Sequence, residues 1–129
     1  MSQKTSKDAI YHPFVGIPGL PFSEAVEVGD LLFLSGQIGS DASDRLVSGG
    51  IAAETRQTLA NIRAVLERHG SSLDRIVKMT VMLADIGEWA VMNAEYVKVF
   101  GRHLPARSAF GTSGLALGAR VEIECIAAR

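Results

Sequence analysis

The chain has 129 residues, of which 47% are hydrophobic and 21% are charged, and its formal net charge is −1. This composition is typical of a globular protein and not of a disordered chain, so we expect one domain, residues 1–129, with a single core. The 13 lysines and arginines are scattered along the chain, which argues against nucleic acid and an anionic membrane surface as partners.

The first part of the chain predicts an irregular start, a β-hairpin and a helix. Residues 1–20 are rich in proline and glycine, and we expect them to be an irregular lead-in. Apolar and polar residues alternate over 24–36 around Gly29-Asp30, which predicts two strands joined by a tight turn. Residues 51–70 predict an amphipathic helix that ends at Gly70. The apolar stripe of this helix consists of Leu59, Ile62, Val65 and Leu66.

The second part predicts a strand, a helix and two further strands. Residues 75–85 predict a strand, and Asp85 followed by Glu88 resembles the capping box of a second helix that ends at Gly101. The expected core face of the strand consists of Val77, Met79, Val81 and Leu83. That of the helix consists of Trp89, Met92, Tyr96 and Phe100. Two strands are then predicted at 106–110 and 120–128.

The order ββ-α-β-α-ββ predicts an α+β fold, one sheet with two helices on one face. The other face of the sheet also carries apolar groups. Residues 31–35, LLFLS, are apolar on both faces, and Ile76 and Met82 leave apolar groups on the second face of their strand. Because two helices cover only one face, this pattern indicates burial against other subunits, and we expect a homo-oligomer.

Two acidic residues near the C-terminus are candidates for chemistry. Glu122 and Glu124 lie on the same face of one strand, because side chains alternate with period two. Such a pair is common on a solvated strand face, but it also suits a site that holds a cation or a reacting water. Arg107, on the preceding strand, could supply a nearby positive charge, and a structural salt bridge between the two strands would explain the pair equally well. Spacing alone leaves these interpretations open.

Other reactive residue types lack a supporting pattern. His12, His69 and His103 have no partner at metal-ligand spacing, so we expect no metal site. Ser35 lacks the context of a nucleophile elbow and is expected to form hydrogen bonds. Cys125, the single cysteine, cannot form an intrachain disulfide and is expected to be a small buried hydrophobic residue. With no signal-like or membrane-spanning run, we expect a soluble, cytoplasmic protein.

Several stretches together resemble the RidA (YjgF-type) family of reactive-intermediate deaminases. They are FSEAVEVGDLLFLSGQIG, ETRQTLANIRAVLERHGSSLDRIVKMTVMLAD, MNAEYVKVF, PARSAF and VEIECIA. The resemblance runs in register from about Pro21 to Ala128. It implies a chorismate-mutase-like α+β fold that assembles as a barrel-like homotrimer, with ligand clefts between subunits and no cofactor.

The resemblance also implies an activity and a set of site residues. The activity is hydrolysis of reactive enamine and imine intermediates, typically 2-aminoacrylate, to 2-keto acids and ammonia. Arg107 matches the family arginine that grips the substrate carboxylate, which a guanidinium can bind through two parallel hydrogen bonds. Glu122 matches the family acid, as a general base for the attacking water or as an anchor for the substrate nitrogen. Ser35, Gly36 and Asn93 match or adjoin positions that line or support the cleft.

Two departures from the family pattern fall in the expected cleft. Phe22 replaces a tyrosine whose hydroxyl commonly faces the ligand, and Ala109 occupies a position that is often cysteine or valine. Both changes indicate a reshaped, more apolar pocket. They leave open a pathway-specific deaminase of a larger imino or enamino intermediate. A third alternative is a non-catalytic trimer that binds small carboxylates, which the presence of Arg107 disfavours.

Overall fold

A computed structural model describes residues 8–129, in which six strands form one mixed sheet with two long helices on one face. The strands are β1 (Ala9–His12), β2 (Ala25–Val28), β3 (Leu31–Ile38), β4 (Ile76–Leu83), β5 (Ala106–Gly111) and β6 (Val121–Ala128). The helices are α1 (Gly50–Arg68) and α2 (Trp89–Phe100). The strand order is β1-β2-β3-β6-β4-β5, in which β4 and β5 are parallel and the other neighbours antiparallel. The predicted α+β architecture is therefore confirmed.

The hairpin and the first helix form where the sequence places them. Val28 pairs with Leu31 across the Gly29-Asp30 turn, where Gly29 has a positive φ of 57° that suits a residue without a side chain. Helix α1 ends as His69 caps it and Gly70 takes a φ of 78°. The predicted apolar stripe of α1 is buried against the sheet.

The core lies between the two helices and one face of the sheet. The sheet contributes Leu32, Leu34, Met79, Val81, Leu83, Val121, Ile123, Cys125 and Ala127, and the helices contribute Leu59, Ile62, Leu66, Met92, Tyr96 and Phe100. Cys125 is buried as predicted, and burial raises the pKa of its thiol to about 12. The thiol is therefore protonated and unreactive at neutral pH. No helix within residues 8–129 is long and apolar enough to cross a membrane.

The prediction of an irregular lead-in over residues 1–20 is wrong at Ala9–His12. This segment pairs antiparallel with β2 and forms one edge of the sheet. Ile10 and Tyr11 are residues that favour strands, and Pro13, which lacks a backbone donor, follows directly after the strand. Residues 1–7 of the predicted lead-in lie outside the described residues.

The core face that the sequence predicts for β4 is wrong at Val77. The register between β4 and β6 shifts between Ile76 and Lys78, so Val77 is 47% exposed and Ile76 is buried in its place. A bulge adds one residue to a strand and moves the residues before it to the opposite face. Met79, Val81 and Leu83, which follow the bulge, point into the core as predicted.

The second helix begins later than the capping pattern predicts. Asp85 accepts a hydrogen bond from the backbone nitrogen of Gly87 and caps a short 3₁₀ turn, Ile86–Glu88, after which α2 starts at Trp89. Trp89 is 41% exposed, so its assignment to the core face is wrong. The later start places Trp89 at the first position of α2, with its ring near the guanidinium of Arg107.

The sheet face opposite the helices carries incompletely covered apolar side chains, as the sequence predicts at LLFLS and Met82, but the prediction is wrong at Ile76, which is buried in the core. Phe33 on β3 pairs with Ile126 on β6, and Met82 on β4 pairs with Phe110 on β5. Phe33 and Phe110 remain 39% and 45% exposed. This face, which we call the open face, has no helix over it within the described residues.

Candidate active site

Arg107 lies on the edge strand β5 and points to the helix side of the sheet. It pairs in register with Met79, whose side chain is buried under the helices. Its Nη1 donates a hydrogen bond of 2.7 Å to Oδ1 of Asn93 on α2. The guanidinium carbon lies 4.7 Å from the ring centroid of Tyr96 and 5.5 Å from that of Trp89. A planar cation between two aromatic rings and an amide is held in one orientation.

The charge of Arg107 is not neutralised within the described part of the chain. Its hydrogen-bond acceptor is the neutral amide of Asn93, and no carboxylate of residues 8–129 forms an ion pair with it. Burial raises the pKa of the neighbouring Tyr96 hydroxyl, so this phenol is also neutral near pH 7. A cleft of about 180 Å³ opens beside the guanidinium, between α2 and Leu104 and Pro105. This arrangement can accept a small carboxylate from outside the chain.

Glu122 lies on β6 on the open face, between Ile38 of β3 and Met82 of β4. Its carboxylate extends over Gly36, and a Cβ atom at position 36 would clash with Oε2 of Glu122. Glycine at this position therefore makes the space that the carboxylate occupies. The family resemblance places Gly36 at the ligand cleft, and the group that approaches this glycine is the Glu122 side chain.

Glu122 has the electrostatic setting of a potential base. Partial burial raises the pKa of its carboxyl above the ordinary value, and the negative charge of Glu124 on the same strand face raises it further. A carboxylate with a raised pKa is a stronger acceptor for a proton from water than an exposed glutamate. Groups of this kind, at the wall of a cavity, are typical of functional sites.

A cavity of about 390 Å³ adjoins Glu122. Its apolar lining comprises Phe14, Ile17, Leu20, Phe22, Ile38 and Leu117, and its polar lining includes Gln37 and Ser40. Phe22, which the sequence analysis placed in the ligand cleft, lies in this cavity together with Gly36 and Glu122. Three of the predicted site residues are thus gathered around one space.

The predicted proximity of Arg107 and Glu122 within one chain is wrong. Their strands are not neighbours, because β5 pairs with β4, and β4 separates it from β6. Arg107 lies level with Met79 on the helix side, whereas Glu122 lies level with Met82, three residues along β4 and on the open face. A salt bridge between the strands of Arg107 and Glu122 is therefore also excluded. The chain order predicts that consecutive strands are neighbours, but β5 pairs with the far side of β4, at the edge of the sheet.

The remaining predicted site residues take supporting positions. Asn93 orients Arg107, as described above. The Ser35 hydroxyl donates a 2.5 Å hydrogen bond to the carbonyl oxygen of Ser23, which ties β3 to the segment before β2. Ala109 pairs with Val81 on the helix side and packs against the core. Ala109 is therefore on the same side of the sheet as Arg107, not in the cavity beside Glu122.

Sequence reasoning missed several residues at the cleft beside Arg107 and at the cavity beside Glu122. Tyr96 was interpreted as core, although its ring also faces Arg107. Phe14 and Leu117 line the cavity beside Glu122 but lie in segments without a regular hydrophobic period. The signal for Leu117 is conformational: its φ is 57°, which is uncommon for a residue with a Cβ atom. The sequence does not reveal this angle.

Two of the three histidines, His12 and His69, take part in a separate ionic cluster. The rings of His12 and His69 lie 4.4 Å apart, with His12 against Glu27 and His69 against the buried Glu24. Arg68 also contacts Glu24, at 2.5 Å. Within residues 8–129, no group of three histidine, cysteine or acidic side chains is arranged to hold a metal ion.

Comparisons with known proteins agree with this architecture. A family model described as endoribonuclease L-PSP matches residues 17–129. Protein HMF1 of Saccharomyces cerevisiae is 47% identical over 107 residues, which cover 83% of each chain. The 2-iminobutanoate/2-iminopropanoate deaminase of Bos taurus is 44% identical over 108 residues, covering 83% of this chain and 79% of the relative.

Solved structures share the whole fold. YyfA from Yersinia pestis, of the conserved Rid protein family, has a TM-score of 0.86 at 36% identity, covering 95% of this chain and 100% of its own. TdcF of E. coli, solved with bound serine, has a TM-score of 0.80 at 28% identity, covering 98% of this chain and 96% of its own. The chain therefore belongs to the endoribonuclease L-PSP family, which is the YjgF/RidA family that its own motifs resemble.

Proposed function

We propose that the protein hydrolyses 2-imino acids and their enamine tautomers, such as 2-aminoacrylate, to 2-keto acids and ammonia without a cofactor. The observation that carries this proposal is Arg107, an oriented guanidinium beside an open cleft with no carboxylate partner among the described residues. The names of the mammalian relatives, and the serine bound to TdcF, support a small substrate with a carboxylate.

In this proposal Arg107 binds the substrate carboxylate. Two parallel hydrogen bonds from the guanidinium to the carboxylate fix the plane of the adjacent C=N group. Asn93 and the Tyr96 ring hold the guanidinium in place before the substrate arrives, so less freedom is lost on binding. Arg107 therefore orients the reacting carbon as well as binding the substrate.

Glu122 activates the water that attacks the imine carbon. As the water oxygen bonds to carbon, its proton passes to the Glu122 carboxylate and the C=N electron pair moves to nitrogen. Return of this proton to nitrogen gives a carbinolamine. Transfer of the hydroxyl proton to the nitrogen, as the C–N bond breaks, then forms the carbonyl and releases ammonia, so the net reaction consumes one water. The raised pKa of Glu122 suits both transfers. The alternative role, in which Glu122 anchors the substrate nitrogen, uses the same carboxylate without the first transfer.

The two residues act together only if they come from different chains. Arg107 and Glu122 lie on opposite faces of the sheet in one chain, and each borders its own cavity. We therefore propose a homotrimer in which Arg107 of one subunit faces Glu122 of its neighbour across a cleft. The apolar open face, with Phe33 and Phe110 partly exposed, supports association through this side of the sheet.

The deaminase activity can be tested with imino acids formed in situ by an amino-acid oxidase. Semicarbazide competes for the imine, so an active protein lowers semicarbazone formation and speeds release of the keto acid. We expect wild type to do so, and Arg107→Ala to lose most of this acceleration. Arg63→Ala, an exposed arginine on α1, serves as the matched control and should retain activity. If no imino acid is hydrolysed faster by wild type, deamination is excluded, and binding of carboxylates without catalysis becomes the better account.

The family description raises RNA cleavage as a second possibility. The net charge of −1 and the scattered basic residues offer no concentrated surface for phosphates. We therefore expect RNA to remain intact when incubated with the purified protein at low salt. Cleavage that is lost in Arg107→Ala but kept in Arg63→Ala would contradict this expectation.

A further inference from the structure

The cavity beside Glu122 is larger and more apolar than a one- or two-carbon side chain requires. Its volume of about 390 Å³ lies within the range of pockets that enclose drug-sized ligands. Glu122 is at its wall, so a substrate whose imine carbon reaches this carboxylate has part of its structure in the cavity. The lining that surrounds that part is dominated by aromatic and aliphatic side chains.

Two phenylalanines form one wall of the cavity. The rings of Phe14 and Phe22 meet edge to face, with centroids 5.3 Å apart and an interplanar angle of 89°. This geometry is favourable for aromatic pairs and keeps both rings in fixed positions. Phe22 is 53% exposed and offers no hydroxyl to a polar ligand.

Leu117 also lines the cavity, and its backbone conformation is unfavourable. It is 74% exposed and has a φ of 57°, in the left-handed region that disfavours residues with a Cβ atom. Glycine or asparagine would satisfy the backbone better, and a polar side chain would suit the exposure. Packing within the single chain and backbone geometry do not explain a leucine here, whereas contact with an apolar group held in the cavity that Leu117 lines does.

We propose that this cavity is a side-chain subsite that selects 2-imino acids with large apolar side chains, branched aliphatic or aromatic, over those with one or two carbons. The inference rests on the proposed deaminase function and specifies its substrate class. With the carboxylate on Arg107 of one subunit and the imine carbon at Glu122 of the next, the side chain enters the apolar cavity on the Glu122 side. Phe14, Phe22 and Leu117 are the specificity-determining residues.

The size of the preference follows from the apolar contact. A single additional methylene in an apolar pocket changes kcat/KM by about 10- to 200-fold when the fit is good. The imino acid formed from leucine has three more carbons than that formed from alanine. We expect wild type to prefer the leucine- and phenylalanine-derived substrates over the alanine-derived one by at least about 10-fold in kcat/KM.

The test compares kcat/KM for these three substrates in wild type, Leu117→Gly and Phe14→Ala. Leu117→Gly removes the side chain and relieves the positive φ, so its melting temperature should be equal to or above that of wild type. Its preference for the bulky substrates should fall about 3- to 10-fold, with little change for the alanine-derived substrate. Val91→Ala, which shortens a 47% exposed side chain on α2 outside both cavities, should keep the wild-type ratio.

A binding experiment distinguishes this inference from the proposed deaminase function. Calorimetry with 4-methyl-2-oxopentanoate and pyruvate, the keto acids of the leucine- and alanine-derived substrates, measures the side-chain preference without catalysis. A preference for the larger keto acid that falls in Leu117→Gly supports the subsite even if no imino acid is hydrolysed. Turnover with no preference for bulky substrates, or a preference that both variants retain, overturns the subsite and leaves the deaminase function standing.

Discussion

At the scale of single residues, the proposed binding of a substrate carboxylate by Arg107 depends on a hydrogen-bond partner, Asn93, that carries no charge. Asn93→Ala removes the 2.7 Å contact, and we expect kcat/KM to fall about 10-fold, since hydrogen bonds to charged groups are worth about 1.5–3 kcal/mol. Asn93→Asp keeps a hydrogen-bond acceptor but adds an anion that competes with the substrate carboxylate. It should therefore raise KM more than Asn93→Ala does, as steady-state kinetics would reveal. Equal KM values in the two variants would contradict carboxylate binding at Arg107.

Burial and the like charge of Glu124 both raise the pKa of Glu122, so both bear on the pH range of the proposed reaction. In the proposed mechanism catalysis requires ionised Glu122, and the raised pKa of this carboxyl should move the acid limb of kcat/KM above the ordinary range of a glutamate. Glu124→Gln removes the negative charge that helps to raise this pKa, so the acid limb should shift to lower pH. A pH–rate profile of Glu124→Gln measures the shift, with Glu67→Gln, an exposed position on α1, as the control. A shift to higher pH, or none, would contradict this role of Glu122.

Sequence reasoning at this scale identified residues better than their surroundings. Four of the predicted residues line a cavity: Arg107 and Asn93 line the one beside α2, and Gly36 and Glu122 line the other. Their identities are visible in local motifs, but the environment of each comes from segments distant in the chain. The orientation of Arg107 by Tyr96 and the closure of the Glu122 cavity by Phe14 and Leu117 both depend on such tertiary packing.

At the scale of elements, an ionic cluster joins α1 to the segment before β2. Glu24 has a side chain that is only 4% exposed, and Arg68 and His69 at the end of α1 pair with it. Arg68→Ala leaves this carboxylate buried with His69 as its remaining ion-pair partner among the described residues. We expect a loss of about 1–3 kcal/mol in the free energy of unfolding, measured by denaturant titration at constant protein concentration.

Arg63→Ala is the matched control for that change, on the same helix. Arg63 pairs with Glu67 at 3.8 Å, and both side chains are more than 60% exposed. Surface pairs of this kind contribute little, so the unfolding free energy should change by less than about 0.5 kcal/mol. Equal losses in the two variants would mean that burial of Glu24 does not determine the strength of the cluster.

Elements were predicted more reliably than their arrangement. Hydrophobic periodicity reports which face of a segment is buried, and it correctly gave α1, the hairpin and most of the core face of β4. It does not report which strands pair, so the parallel addition of β5 to the edge of the sheet was missed. The bulge at Val77 and the 3₁₀ turn before Trp89 are local departures from regular geometry, and their cause is packing that periodicity does not contain.

At the scale of the whole molecule, the sheet separates the two residues on which the proposed reaction depends. Arg107 is on the helix side at one edge, and Glu122 is on the open face. If the proposed reaction uses both residues, a single chain offers two half-sites, and association between chains is needed to complete one. The apolar open face gives a physical reason for that association, because burial of its partly exposed aromatic residues is favourable.

The most direct test of this account is complementation between two inactive variants. Arg107→Ala and Glu122→Gln are each purified, shown to lack imine hydrolysis, and then unfolded, mixed in equal amounts and refolded, with each variant refolded alone as a control. In randomly mixed cyclic trimers, about one quarter of the interfaces combine an intact Arg107 with an intact Glu122. The account predicts that about a quarter of wild-type activity returns in the mixture and none in the controls. Mixed trimers, verified by mass, that remain inactive would contradict a site shared between subunits.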